Sequence, residues 1–129
     1  MDSEARVPLF FGATIYQEMK MSKVILYVRQ NGRSPTAEFL ESLPKEDQIR
    51  VIAKFHLLEE QGHLLVRPHT DTARNGIRYL RIKKYRIFYF FDKNVIVVVN
   101  GYEKKKDELD ENEIQRAERY RIEYHNSKK

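Results

Sequence analysis

The residues with chemistry in them crowd one stretch of this chain, Tyr79 to Asp107, which reads YLRIKKYRIFYFFDKNVIVVVNGYEKKKD. Arg78, Arg81, Lys83, Lys84, Arg86, Lys104, Lys105 and Lys106 lie in it or just beside it. The β-branched and aromatic density of Ile82, Ile87, Phe88, Phe90, Phe91 and Val95 to Val99 predicts three consecutive strands. If Lys83-Lys84 is a two-residue loop, Ile82 pairs with Tyr85 and Arg81 stands opposite Arg86. Side chains alternate with period two, so Tyr79, Arg81, Arg86, Phe88 and Phe90 share one face. Carried across a three-residue turn, Asp92-Lys93-Asn94, that face also receives Asn100, Tyr102 and Lys104. Leu80, Ile82, Ile87, Tyr89, Val97 and Val99 fall on the other. Two arginines directly opposite each other destabilise an antiparallel pair, which points to an anion as their use. Such cations stabilise charge developing on a phosphate, and a Tyr, His or Lys placed beside them can move protons. Those are the parts needed to cleave RNA without a metal, with the ribose 2′-hydroxyl attacking the adjacent phosphorus.

Other chemistries find less support. The five glycines (12, 32, 62, 76 and 101) are isolated, so no Gly-rich phosphate loop is present. His56, His63, His69 and His125 have no HExxH or other compact metal spacing. Cysteine is absent, which excludes a disulfide framework and a thiolate metal site and suits a cytoplasmic protein. No metal and no cofactor are expected. At 129 residues the chain is one domain, and its mean hydropathy of −0.68 argues against a membrane span. The net charge of +5 understates an asymmetry. Residues 64–106 hold eleven Lys/Arg against three Asp/Glu, whereas residues 34–62 hold three against six and residues 107–123 three against seven. Positive charge gathers on the predicted strands, the footprint of a face that meets a polyanion.

Residues 1–21 fit poorly with the rest of the chain and are set aside as an N-terminal extension. The core domain is placed at 22–125, with 126–129 as a tail. Lys23 to Arg29 reads as a strand ended by Asn31-Gly32. Ser34 is a natural N-cap with Pro35 at the first helical position, and that helix runs until Pro44. A second helix spans Lys45 to Gln61, with Glu46 and Asp47 at the positive end of its dipole and Gly62 as C-cap. Ile49, Ile52, Ala53, His56 and Leu57 are its expected packing positions. His63 to Gly76 reads as a loop. After the three strands, Asp110 and Glu113 open a last helix, through roughly Tyr124, packing through Ile114, Ala117, Tyr120 and Tyr124. The order β-α-α-β-β-β-α defines an α+β domain, a small, mostly antiparallel twisted sheet with helices on one face.

The stretch RYLRIKKYRIFYFFDKNVIVVVNGYEKKKDE resembles the core of the RelE/ParE toxin superfamily, and within it the HigB-like, phage-derived branch. The matching features are the Leu80-Arg81 pair in the first meander strand, YRIFYF in the second, and a hydrophobic third strand ending G-Y-x-K-K. FLESLP and the helix ending before Gly62 also fit, so the resemblance covers about residues 23–124. It implies the toxin of a type II toxin–antitoxin system, an endoribonuclease that cuts mRNA on the translating ribosome. A cognate antitoxin, of helix-turn-helix type as in HigB-like pairs, would hold it in check. The arginine of the family's Y-R-(I/L)-x-Y strand contacts the scissile phosphate, and Arg86 occupies that place. Arg78 and Arg81 match basic residues of the preceding strand, and Lys104 and Lys105 the basic pair after the third. The catalytic candidates are therefore Arg86, Arg81, Tyr102 and Lys104. Arg78, Lys83, Lys84, Lys105, Lys106, Arg74 and His69 are the RNA- and phosphate-binding ones. Some RelE-like members carry a catalytic Tyr in the C-terminal segment, where this chain has the acidic DELDENE. Tyr102 or Tyr89 would then substitute, or His69 as in the histidine-using branch. The same fold also includes members directed at DNA gyrase that do not cleave RNA, and a non-catalytic nucleic-acid or protein binder is the alternative.

Overall fold

The computed structural model describes residues 22–128, so the expectation for residues 1–21 lies outside the described residues. The elements are β1 (Lys23–Leu26), α1 (Pro35–Glu41), α2 (Lys45–Gln61), a 3-10 turn (Gly62–Leu64), β2 (Thr70–Arg74), β3 (Ile77–Ile82), β4 (Tyr85–Asp92), β5 (Val95–Glu103) and α3 (Glu111–Ser127). They form a five-stranded mixed sheet of order β1-β5-β4-β3-β2. β1 runs parallel to β5, and the other pairs are antiparallel. The helices begin where local chemistry allows. Ser34 Oγ accepts the Ala37 N–H at 3.3 Å, and the Asp110 carboxylate accepts the Asn112 N–H at 2.8 Å. Among the described residues, no helix is long and apolar enough to cross a membrane.

The sheet is covered on both faces, not on one as the sequence pattern suggested. On one face Val51, Phe55 and Leu58 of α2 meet Leu80, Ile82, Ile87, Tyr89, Ile96 and Val98. On the other, Ile114, Ala117 and Tyr120 of α3 meet Ile77, Phe88, Phe90, Val97 and Val99. A strand buried on both sides reads as a continuous apolar run instead of an alternation. That is why every residue of Tyr85 to Phe90 is buried. Each fully buried Leu, Ile or Val here contributes about 1.5–3 kcal/mol. α1 fits closely enough that a Cβ at Gly101 would stand 2.8 Å from Phe39 Cδ2.

Four local expectations change. The segment read as a loop contains β2, joined to β3 by Asn75 (φ 52°) and Gly76 (φ 83°), and such a pair of left-handed residues makes the preferred two-residue hairpin turn. α2 packs through Val51, Phe55 and Leu58, while Ile49 and Ile52 are exposed. The β4–β5 turn has two residues, with Asp92 paired to Val95 and with Lys93 (φ 57°), not Asn94, in the left-handed region. Between Phe88–Asn100 and Tyr89–Val98 the register shifts by one residue. This bulge keeps Asn100 and Tyr102 on the Arg86 face but moves Val97 and Val99 onto that same face, against α3.

Candidate functional site

The register sets Arg81 opposite Arg86 and Arg86 opposite Tyr102, a row across three neighbouring strands. The next row on the same face is Tyr79, Phe88 and Asn100. Opposed side chains in such ladders lie close enough to act on one group. The aromatic rings make a stiff floor beside the cations. Phe88 and Tyr102 are near-parallel with centroids 6.0 Å apart, and Tyr79 meets Phe88 edge-on at 6.1 Å.

Arg86 is 8% exposed, yet no carboxylate salt bridge reaches it among the described residues. Its Nη1 donates to the Lys83 carbonyl at 2.9 Å and the Tyr85 carbonyl at 2.8 Å. Burial first, and the neighbouring Arg81 charge second, push its pKa below the usual guanidinium value. A guanidinium remains charged at neutral pH all the same. The site therefore holds a buried cation beside a like charge, an arrangement that an incoming anion relieves.

The β3–β4 turn that presents those carbonyls is held from the far side of the sheet. Lys83 sits at φ 53° and its Nζ donates to Asp47 Oδ1 at 3.2 Å. The Tyr85 hydroxyl donates to Asp47 Oδ2 at 2.7 Å. That hydrogen bond, with burial, pushes the Tyr85 phenol up to about 12. The same bond, joined by the one from Lys83, holds the Asp47 carboxyl below its ordinary value against the opposing effect of burial. Asp47 reads in the sequence only as a dipole complement at the start of α2, so its role as an anchor was not legible there. Lys84 pairs with Glu103 at 3.2 Å, and the Lys84 carbonyl accepts the Lys104 N–H at 2.7 Å.

Tyr102 ties the site to α3. Its hydroxyl accepts the Asp110 N–H at 2.9 Å, which takes the place of a reciprocal capping box, and burial pushes its phenol up. The raised phenol is protonated at neutral pH, and its hydroxyl hydrogen, which has no acceptor among the described residues, can be donated. Beside it, Asn100 is buried and donates Nδ2 to the Glu113 carbonyl and to Glu113 Oε1, while its Oδ1 has no partner among the described residues. Glu113 also takes Arg116 at 2.8 Å.

The remaining sequence candidates lie elsewhere. Lys105 and Lys106 are exposed in the segment between β5 and α3, next to half-buried Lys104. Arg78 pairs with Tyr89 on the face that α2 covers, and donates to Thr72 Oγ1 at 2.7 Å. Tyr89 is buried there, its hydroxyl 2.6 Å from Thr70 Oγ1. His69 Nδ1 lies 3.0 Å from Lys54 Nζ of α2, although the His69 carbonyl accepts the Arg81 N–H. Arg74 is clamped by Glu111 at 2.6 Å and Glu118 at 3.1 Å on α3. So the fold brings Arg81, Arg86, Tyr102 and the lysines around them together, and places Arg74, Arg78 and His69 apart. Among the described residues, no group of His, Asp and Glu is arranged to hold a metal ion.

Three helices and this mixed five-stranded sheet make a RelE-like α+β fold. Residues 38–121 match the family model described as phage derived protein Gp49-like. The chain belongs to that family, a type II toxin–antitoxin family of RelE/HigB-like kind, and the family implies an antitoxin partner. No curated protein matches the chain.

Proposed function

We propose that this protein is the toxin of a HigB-like pair and a metal-independent endoribonuclease that cuts mRNA on the translating ribosome. Residues 22–125 carry the activity. The observation that carries the reading is the row Arg81–Arg86–Tyr102 on one face, with its buried cation and, among the described residues, no carboxylate counter-charge. In the reaction, the 2′-hydroxyl loses its proton to solvent water and attacks the adjacent phosphorus as the bond to the 5′ oxygen breaks. The products are a 2′,3′-cyclic phosphate and a 5′-hydroxyl end. Arg86 and Arg81 bind the non-bridging oxygens as charge builds on them. Tyr102, protonated at neutral pH, supplies the proton to the departing 5′ oxygen, and its phenol is reprotonated from solvent. Lys84, Lys104, Lys105 and Lys106 hold the flanking phosphates, a salt-sensitive contribution, while Lys83 stays on Asp47 behind the turn. The partner is an antitoxin of helix-turn-helix type.

Translation in vitro with purified protein, followed by primer extension on the message, tests this directly. Discrete cuts that need ribosomes are expected, and intact mRNA at stoichiometric protein sinks the proposal. The competing reading is a non-catalytic binder, of nucleic acid or of a protein such as gyrase. The placement of the His69 ring away from the arginine row, toward Lys54, favours it to the extent that no imidazole base joins the row. Arg86→Ala separates the two. An endonuclease loses cleavage while still binding RNA, whereas a plain binder loses one phosphate contact and about one unit of salt slope.

A further inference from the structure

A second basic site lies at the other end of the β3–β4 hairpin. There a cleft of about 550 Å³ opens where β3 begins and β4 runs on past it to Phe91. Gly76 borders it and leaves room, since a Cβ at that position would stand 3.2 Å from Arg121 Nη1. Phe91 is five residues along β4 from Arg86, roughly 16 Å at about 3.3 Å per residue. This site is therefore independent of the phosphate site.

Its two guanidiniums hydrogen-bond uncharged groups, and Glu118 acts on Arg121 only through its field. Arg78 donates to Thr72 Oγ1 and the Tyr89 hydroxyl, and Arg121 donates to the Asn75 carbonyl, all uncharged acceptors. Among the described residues neither guanidinium forms a salt bridge and no carboxylate lines the cleft. The imidazoles of His63 and His125 stand at the same rim. The remaining wall includes the aliphatic Leu65 and Val66, and Val66 is 62% exposed on it.

We propose that this cleft docks an acidic peptide segment of a partner protein. One apolar side chain seats against Val66, and flanking carboxylates take the forks of Arg78 and Arg121. The guanidinium fork matches a carboxylate bidentately, and the volume suits a side chain with its neighbours. Single-stranded RNA fits less well, because it needs free aromatic faces for its bases. Phe91 is covered by the His63 ring at 3.6 Å, and Phe90 is 2% exposed, so stacking there would fall to the two imidazoles. RNA also leaves the exposed aliphatic wall without a use.

The test is selection of short random peptides on the full chain, with binding then measured by fluorescence polarisation on Val66→Glu and Val66→Lys. Val66 is exposed and packs against neither core, so both variants fold, which circular dichroism checks. The expected peptides carry Asp or Glu flanking Leu, Ile or Phe. Their affinity falls about tenfold or more in Val66→Glu, holds in Val66→Lys, and weakens as salt rises. mRNA cleavage is unchanged in both variants, which separates failure here from failure of the phosphate site. Three results overturn the proposal: no peptide whose binding responds to residue 66, a selected set that is neutral or basic, or an oligouridylate that binds here instead.

Discussion

Two arginines on one sheet, twelve residues apart in sequence, show how little a count of charges says about their use. Arg74 at the edge strand meets two carboxylates of α3, and Glu111 first, then Glu118, raise its pKa above the ordinary guanidinium value. Arg86 in the central strand meets another arginine and two carbonyls, and burial lowers its pKa. The first guanidinium is satisfied and fastens a helix to the sheet edge. The second is desolvated with no counter-ion among the described residues, a cost in the free protein that an incoming anion offsets. Both contribute equally to the basic balance of residues 64–106, yet the fold gives them opposite electrostatic surroundings.

The largest expected effect comes from deleting the unsatisfied member. Arg86→Ala lowers the cleavage rate about 10²–10³-fold, the usual loss when one preorganised donor is removed. Its melting temperature changes little, because removing an uncompensated buried cation offsets the two lost hydrogen bonds. Cleavage that persists undiminished would remove Arg86 from the chemistry. Tyr102→Phe comes next, with a loss of about 10²-fold at unchanged RNA affinity. The ring stacked on Phe88 remains, while the proton and the acceptor for the Asp110 N–H are lost, so a fall in affinity with no fall in rate would make Tyr102 a binding residue alone. Arg74→Met is the counter-test. It frees Glu111 and Glu118 and lowers the melting temperature, while cleavage measured well below melting stays at the wild-type rate. If Arg74→Met instead cuts the rate as Arg86→Ala does, the contrast between the two collapses and Arg74 belongs to the RNA surface.

The strands were legible from their β-branched and aromatic density, and the face that bears the arginine row from the turn that sets the register. Lys83-Lys84 as a two-residue loop put Arg81 opposite Arg86, and Tyr102 fell on their face. The Ser34-Pro35 and Asp110 helix starts carried their own capping chemistry. What escaped had physical reasons. β2 is a charged edge strand, TDTAR, without the apolar density of a strand, though Asn75-Gly76 is a strong hairpin signal that could have found it. The bulge at Val99 moved two valines to the other face, which pattern reading cannot see in an unbroken apolar run. α2 carries isoleucines on its exposed side, so the wrong stripe looked apolar. Arg74 and His69 had basic side chains in the right region, but their partners sit on helices distant in sequence.

The smallest expected effect asks whether the turn behind Arg86 is held by the Asp47–Tyr85–Lys83 contacts. In Asp47→Asn the carboxylate that receives Tyr85 and Lys83 is gone, so the Lys83-Lys84 turn loosens and the carbonyls that hold Arg86 lose their setting. Cleavage then falls less than in Arg86→Ala, and the melting temperature drops at neutral pH. The pH dependence identifies the cause. The folded Asp47 carboxyl lies below its unfolded value of about 4, so its contribution is present above that pH and is lost as pH falls through the folded value. The Tyr85 phenol is raised to about 12, so its contribution is present below about 10 and is lost as pH rises toward 12. The stability gap between wild type and Asp47→Asn should therefore be widest between about pH 5 and 9 and should narrow at both ends. Thermal melts across that range measure it. A gap that stays constant at acid pH would mean that the carboxylate charge is not what anchors the turn, and Arg86 would then owe its position to the strand pairing alone.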